Sequence, residues 1–263
     1  MKNQVRICMI GSGRVGKNHS GIIRNNIPAA KIVALVDPIE TARQETAAEY
    51  EIEEQYESLD QALERSKFDA VMITTPPSSH LPLAILAAEN KKQIFLEKPM
   101  GLTMEECHQI SDAVDRNHVI LQLGFMRRFD PEFIHAYERI QGGEIGDPMM
   151  IKSNTHGPGL PAARWAQDLK TSNGMLSEVN SHDWDSVRWL MGANIERVYA
   201  EVANFKGASY NVTTENFYDN VLVNCKFENG GLGMISGICP CGYGYDARVE
   251  IVGTKGIMQI GTI

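Results

Sequence analysis

The chain lacks the features that mark several protein classes. Its 263 residues hold only five cysteines, which do not form a disulfide framework in a chain of this length. Cys8 reads as a core strand residue and Cys107 as a helix residue. Cys239-Pro240-Cys241 is the one close pair, and with no partner cluster nearby it is not expected to make a metal or redox centre. No apolar run reaches transmembrane length. There is no basic run, and 25 Lys and Arg against 33 Asp and Glu give a net charge of −8, which argues against nucleic acid as a general partner. Met1-Lys2-Asn3-Gln4 leads straight into an apolar strand, so no signal peptide is expected. Repeats, low-complexity tracts and disordered linkers are also missing. What remains is an ordinary soluble composition, 43% hydrophobic and 22% charged, expected in the cytoplasm and long enough for one large domain or two smaller ones.

The positive signal begins at Val5-Arg6-Ile7-Cys8-Met9-Ile10, a short and nearly all-apolar run expected of a central parallel strand. It breaks into Gly11-Ser12-Gly13-Arg14-Val15-Gly16. In a G-x-G-x-x-G turn the first glycine permits the bend, the second lets backbone N–H groups approach a pyrophosphate, and the third lets helix and strand pack closely. A helix pattern follows (Val15, His19, Ile22, Ile23), with its positive N-terminal end aimed at the phosphates. The second strand, Lys31 to Val36, ends at Asp37, placed to accept hydrogen bonds from the adenosine ribose hydroxyls. A carboxylate there repels a 2′-phosphate and no Arg follows immediately, which favours NAD over NADP. Without the glycine turn upstream, Asp37 would read simply as a strand end.

Helices are expected over Thr41 to Tyr50, Ser58 to Ser66, His80 to Asn90 and Thr103 to Asn117, the last with the Thr103/Glu106 capping-box spacing. Strands are expected over Ala70 to Thr74, Gln93 to Leu96 and Val119 to Phe125. The loop from Thr75 and Pro76 to His80 leaves a strand's carboxyl end, where such sheets bind ligands, so it should touch the nicotinamide half of the cofactor. His80 reads equally as a helix-start residue without chemistry. Glu97-Lys98-Pro99 also follows a strand, and Pro99 permits a cis bond. A Lys at that point suits proton transfer or polarisation of a substrate oxygen, or it simply faces solvent.

The second half differs. A helix runs from Pro131 to about Gln141, and strand-like runs follow at Pro148 to Ser153, Ile195 to Val202, Phe217 to Phe227, Gly231 to Ser236, Ala247 to Val252 and Gly256 to Ile260. Several alternate apolar and polar, as in an antiparallel sheet with one open face. One helix, from about Met175 to Leu190, interrupts them and places Glu178, His182 and Asp185 on one face. Glu178 could then orient His182 as a base, or the three could form an ordinary polar face; no third ligand at metal spacing accompanies them, so no metal is expected. The expected fold class is α/β: a doubly wound parallel sheet over 1–123 and a second α/β domain over 124–263.

In order and spacing, GSGRVG, Asp37, TTPPSSH, Glu97-Lys98-Pro99, FMRRFDP and GMLSEVNSHDWDSVRWLMG resemble the glucose–fructose oxidoreductase/inositol dehydrogenase/MocA family over essentially the whole chain. FMRRFD and YGYDARVEIVG look most like the inositol dehydrogenases within it. The resemblance implies an NAD-binding Rossmann domain followed by a domain with a large, open, mostly antiparallel sheet. The cofactor residues would be Gly11, Ser12, Gly13, Arg14, Val15, Gly16, Asp37, Thr75, Pro76, His80, Glu97, Lys98 and Arg127. Lys98 and His182 would flank the reacting carbinol, with His182 as base and Glu178 beside it, while Arg127, His156 and Tyr245 line a polyol pocket. It also implies dimers or tetramers through the open sheet face. Glu178 stands where the family usually has Asp, and Asn180 is expected to contact substrate. The chain stops at Ile263, several dozen residues before family members do, so a shortened or partial chain is expected.

The activity these residues suggest is NAD-dependent oxidation of a secondary hydroxyl on a cyclic polyol or sugar, myo-inositol first. Oxidation of glucose at carbon 3 is the runner-up, with Trp165 and the Gly157-to-Pro161 loop admitting an aglycone. A non-catalytic NAD-binding sensor and an NAD-bound redox isomerisation or elimination are the other readings.

Overall fold

Burial on both faces explains why Val5–Ile10 (β1) carries so few polar residues. Ile7 and Met9 face one hydrophobic cluster, with Ile23, Leu35 and Ala47, while Cys8 and Ile10 face another, with Leu59, Ile73, Leu96 and Ile110. The computed structural model describes residues 4–159, 164–212 and 216–261, in two units, Met1–Gly124 and Phe125–Ile263.

In the first unit β1 is followed by Arg14–Asn26 (α1), Ala30–Val36 (β2), Glu40–Tyr50 (α2), Glu54–Tyr56 (β3), Leu59–Arg65 (α3), Ala70–Ile73 (β4), His80–Glu89 (α4), Gln93–Leu96 (β5), Met104–Asn117 (α5) and Leu121–Leu123 (β6). The sheet is parallel in the order β3-β2-β1-β4-β5-β6. The order reverses beside β1, which creates the crevice at the strand ends where such folds take a dinucleotide. Strand β3 was not anticipated, because Glu-Gln-Tyr has neither apolar run nor alternation; pairing with β2 makes it a strand. Thr103 caps α5, accepting from the Glu106 N–H at 3.1 Å, as its spacing suggested.

The second unit comprises Pro131–Gln141 (α6), Pro148–His156 (β7), the short turns Arg164–Gln167 (α7), Leu169–Ser172 (α8) and Met175–Glu178 (α9), then Ser181–Met191 (α10), Ile195–Ala203 (β8), Asn220–Phe227 (β9), Leu232–Ile238 (β10), Asp246–Gly253 (β11) and Ile257–Ile260 (β12). Asp130 caps α6 ahead of Pro131 by accepting from the Glu132 N–H at 2.9 Å. The sheet order is β12-β11-β7-β10-β9-β8, antiparallel except for β7 with β10. Ile151, Val223, Ile235 and Ile251 on one face pack with Phe133, Val187 and Leu190 of α6 and α10. The other face is open and carries Met150, Leu222 and Leu232, each at least a third exposed.

The expected single helix from Met175 to Leu190 is broken. Asn180 donates its N–H to Met175 five residues back, and α10 restarts with Asp183 and Trp184 both donating to the Asn180 carbonyl. The break exists because Asn180 and Asp183 are tied into the interior. Arg127 Nη1 lies 2.9 Å from Asp183 Oδ1 with both side chains buried, and Arg127 Nη2 donates to Thr155 Oγ1 at 2.8 Å. Ser153 Oγ also donates to Asp183, and Asn180 Nδ2 donates to Asp183 Oδ2 at 2.8 Å and to the Ser236 carbonyl at 3.2 Å. Burying a charge pair is tolerable only when such bonds satisfy both partners.

Truncating Asp183 to Ala strands the guanidinium in the interior, and the expected loss is about 3–5 kcal/mol of stability. Urea unfolding followed by tryptophan fluorescence measures it, and an unchanged midpoint would mean that the pair supports nothing.

Candidate functional site

The glycine turn has the geometry its sequence suggested. Gly11 has φ +106°, and a Cβ on Gly16 would stand 2.0 Å from the Gly11 carbonyl oxygen, so neither position accepts a side chain. Gly13 opens α1, and nothing lies within 4 Å of where its Cβ would be, which leaves space for a ligand over the helix end. Ser12 is buried, and its Oγ has no hydrogen-bond partner among the described residues. An orphaned hydroxyl beside an open helix N-terminus fits the pyrophosphate of a dinucleotide. Asp37 is held at the end of β2 by accepting from the Ser12 N–H at 2.7 Å and the Ile39 N–H at 2.9 Å, ready for a ribose diol. Arg43, six residues beyond Asp37, donates to the Asp37 carbonyl. Arg14 is exposed at the helix start and Val15 half-buried.

Thr75 and Pro76 lead out of β4, Pro76 exposed and Thr75 accepting from Ser79 Oγ at 2.7 Å. His80 is fully buried. Its Nδ1 lies 2.8 Å from the Pro99 carbonyl and its Nε2 3.0 Å from the Thr75 carbonyl. His80 opens α4, as one of its two readings expected, and its ring lies between the β4 and β5 loops, where the neutral imidazole donates from one nitrogen to one of the two carbonyls. Lys98 is half-buried in that second loop, and its bond to Pro99 is cis. Glu97 pairs with His19, a residue known from sequence only as part of a helix stripe.

In the second unit, His182 is half-buried in the first turn of α10, edge-on to Phe125 with ring centres 6.4 Å apart. A cleft of about 430 Å³ opens along that turn between Phe125, Ser177, Ser181 and Trp184. Glu178 ends α9 and His182 lies in the first turn of α10, so the two come from separate helices on either side of the break. Asp185 stays on the same helix, three residues on from His182, and forms two 2.8 Å bonds to Arg128. Arg127 and Asn180 are likewise corrected. Arg127 is 4% exposed with its guanidinium bonded inside the unit, and Asn180 is fully enclosed, so neither is displayed to a cofactor or polyol. Their buried bonding cannot be inferred from the sequence, where FMRRFD reads equally as a ligand loop.

His156 ends β7 on the open sheet face, alternating with Ser153 and Thr155, which point towards Arg127. Its Nε2 lies 3.1 Å from Ser236 Oγ, and its Nδ1 meets the Tyr243 hydroxyl, which donates to Asp246 at 3.3 Å. Burial pushes the His156 pKa down against the pull of Asp246, and the Arg248 guanidinium holds Asp246 below the usual carboxylate range. Tyr245 is half-exposed in the turn before β11. Trp165 is half-buried; Leu160 and Pro161 of the expected aglycone loop lie outside the described residues. Cys239 and Cys241 are buried, and burial pushes the Cys239 thiol up to about 11. No helix among the described residues is long and apolar enough to cross a membrane.

Residues 5–125 match the oxidoreductase family with an NAD-binding Rossmann fold, and residues 133–259 match the GFO/IDH/MocA C-terminal domain. The chain belongs to the GFO/IDH/MocA oxidoreductase family. It is 38% identical to the scyllo-inositol 2-dehydrogenase (NAD(+)) of Bacillus subtilis (strain 168), over 100% of this chain and 75% of that protein. It is 30% identical to the myo-inositol 2-dehydrogenase of Thermotoga maritima, over 96% of this chain and 74% of that one. Among solved structures, scyllo-inositol dehydrogenase from Lactobacillus casei with bound NAD(H) and scyllo-inositol superposes with a TM-score of 0.90 at 28% identity, covering 99% of this chain and 77% of that chain.

Burial lowers the His80 pKa, and its two carbonyl contacts oppose this without overcoming it. The unfolded ring, with a pKa of about 6.5, then takes up a proton more readily than the folded one. Stability held by the neutral ring is present above about pH 6.5 and is lost as pH falls below it. The urea midpoint should therefore drop more steeply on acidification in the unaltered protein than in His80→Asn. Parallel pH curves would show that His80 carries no such linkage.

Proposed function

We propose that the chain is an NAD-dependent dehydrogenase that oxidises a secondary hydroxyl of a cyclic polyol, an inositol first. The 38% identity to an NAD-dependent scyllo-inositol 2-dehydrogenase across the whole chain carries the reading. The glycine turn, the orphaned Ser12 hydroxyl and the tethered Asp37 support NAD as the cofactor. When bound, NAD accepts the hydride from the carbinol carbon. His182 takes the hydroxyl proton, as a half-buried imidazole in a helix first turn beside a cleft can do. Lys98, charged, stabilises the developing alkoxide. Glu178 is assigned to orienting His182, and Tyr245 to a remaining polyol hydroxyl; His156, expected in the same pocket, lies on the open sheet face away from α10 and is not assigned to it. The protein thus supplies position and charge, and the cofactor supplies the redox chemistry.

The test is NADH absorbance with purified protein, NAD and a panel of inositols, hexoses and glucosides, beside Lys98→Ala and His182→Ala. Turnover should appear on an inositol and fall by about 10²–10⁴-fold on removal of the base. Cofactor binding without turnover on any polyol would point instead to a sensor.

The site of action is assigned to the cytoplasm, and the assembly to a homo-oligomer formed through the open sheet face. Met150, Leu222 and Leu232 on that face support the second assignment, since an uncovered apolar face favours a partner. Light scattering should give a dimer or tetramer that Leu222→Glu with Leu232→Glu splits; a monomer in the unaltered protein would refute it.

A further inference from the structure

The loop that carries Lys98 is held on both sides of that residue by side chains of the first unit. Behind it, Pro99 is tied to His80, and the Leu102 N–H donates to Glu106 at 2.6 Å. Ahead of it lies a bridge that reaches back to the dinucleotide helix. His19 Nε2 on α1 stands 2.8 Å from Glu97 Oε1, and Glu97 Oε2 accepts the backbone N–H of Lys98 at 3.2 Å. A carboxylate only accepts, so His19 must carry its proton on Nε2.

This bridge is well enclosed. The His19 side chain is 25% exposed and that of Glu97 17%, and the His19 ring sits edge-on to Phe95 at 5.3 Å. The carboxylate lies directly over Gly124, where a Cβ would come within 3.0 Å of its carbon and both oxygens. The Glu97 carboxylate thus fills the space that Gly124 leaves by lacking a side chain, and it has donors on two sides, one from α1 and one from the Lys98 backbone. Without His19, one oxygen loses its donor, the carboxylate is free to rotate, and its hold on the Lys98 N–H loosens.

We propose that His19 is a positioning residue: acting through Glu97, it fixes the backbone at Lys98 and so the placement of the lysine ammonium. This rests on the reading of Lys98 as the group that meets the reacting oxygen. A displacement on the ångström scale is enough to cost about 10²-fold in rate.

The experiment compares His19→Phe, which removes the donor, with His19→Gln, whose amide N–H can replace it. Two readouts are taken: steady-state kinetics with NAD and an inositol, and pulse labelling of Lys98 by an amine-acylating reagent, quantified by mass spectrometry without substrate. In His19→Phe, kcat should fall by about 10–100-fold while KM for NAD stays within about threefold. The Lys98 labelling rate should change by about threefold or more, since the reaction depends on where the amine is held. His19→Gln should restore both. Unchanged kcat and labelling in His19→Phe overturn the proposal. So does equal impairment in both variants, or a loss of kcat that follows melting temperature while Lys98 labelling stays constant. If His19→Phe does not fold, Glu97→Gln replaces it in the same comparison. Should the unaltered protein turn over no polyol, the dehydrogenase reading fails, while Lys98 labelling still decides the role of His19.

Discussion

The second unit depends on one buried charge pair. Arg127 and Asp183 sit 2.9 Å apart and nearly out of water. A lone charge in that position would cost several kcal/mol, so each needs the other and needs the surrounding hydroxyls. Ser153 and Thr155 supply them from β7 and Ser186 from α10, and Asn180 adds an amide donor to Asp183 from the helix break. Because these donors and acceptors come from separate elements, satisfying them sets where α10 starts relative to the sheet. His182 lies next to Asp183 in the chain, so the pair that closes the interior also orients the residue assigned as base. Arg128 extends this to the rim, bonded to Asp185 and stacked at 4.9 Å on Trp189, which itself stacks on Tyr137.

The first unit uses a different device. Its ligand-facing loops leave the carboxyl ends of parallel strands, where backbone groups are unpaired and the chain must turn sharply. Glycines 11 and 16 make one turn possible, and side chains hold the others. Asp37 accepts from two backbone N–H groups, His80 joins two loops through their carbonyls, and Glu97 joins α1 to the Lys98 backbone. Loops held this way give a binding site whose order does not depend on the ligand, which lowers the ordering cost of association.

Much of this was legible in the residues. The apolar run before Gly11, the acidic end of β2 and the capping-box spacing at Thr103 are local signals whose meaning does not depend on distant contacts. The alternation of the later strands likewise marked a sheet with one open face. The helix over Met175 to Leu190 read as continuous because propensity contains no trace of a break. The break comes from Asn180 donating to Ser236, 56 residues away in sequence. Arg127 and Asn180 looked like ligands for a related reason: a polar residue in a motif reads the same whether it faces a pocket or a buried partner.

The sequence by itself therefore determined most of the order of elements, β3 and the break before α10 excepted, the glycine turn with its acidic partner, and the family to which both belong, because periodicity, backbone permission and short-range spacing are properties of neighbouring residues. Tertiary structure alone decided which polar side chains remain available for chemistry. Whether Arg127, Asn180, His80 or His19 meets a ligand or another part of the protein depends on partners between 3 and 78 residues distant in the chain. A hydrogen bond is made in space, and no one-dimensional spacing specifies its far end.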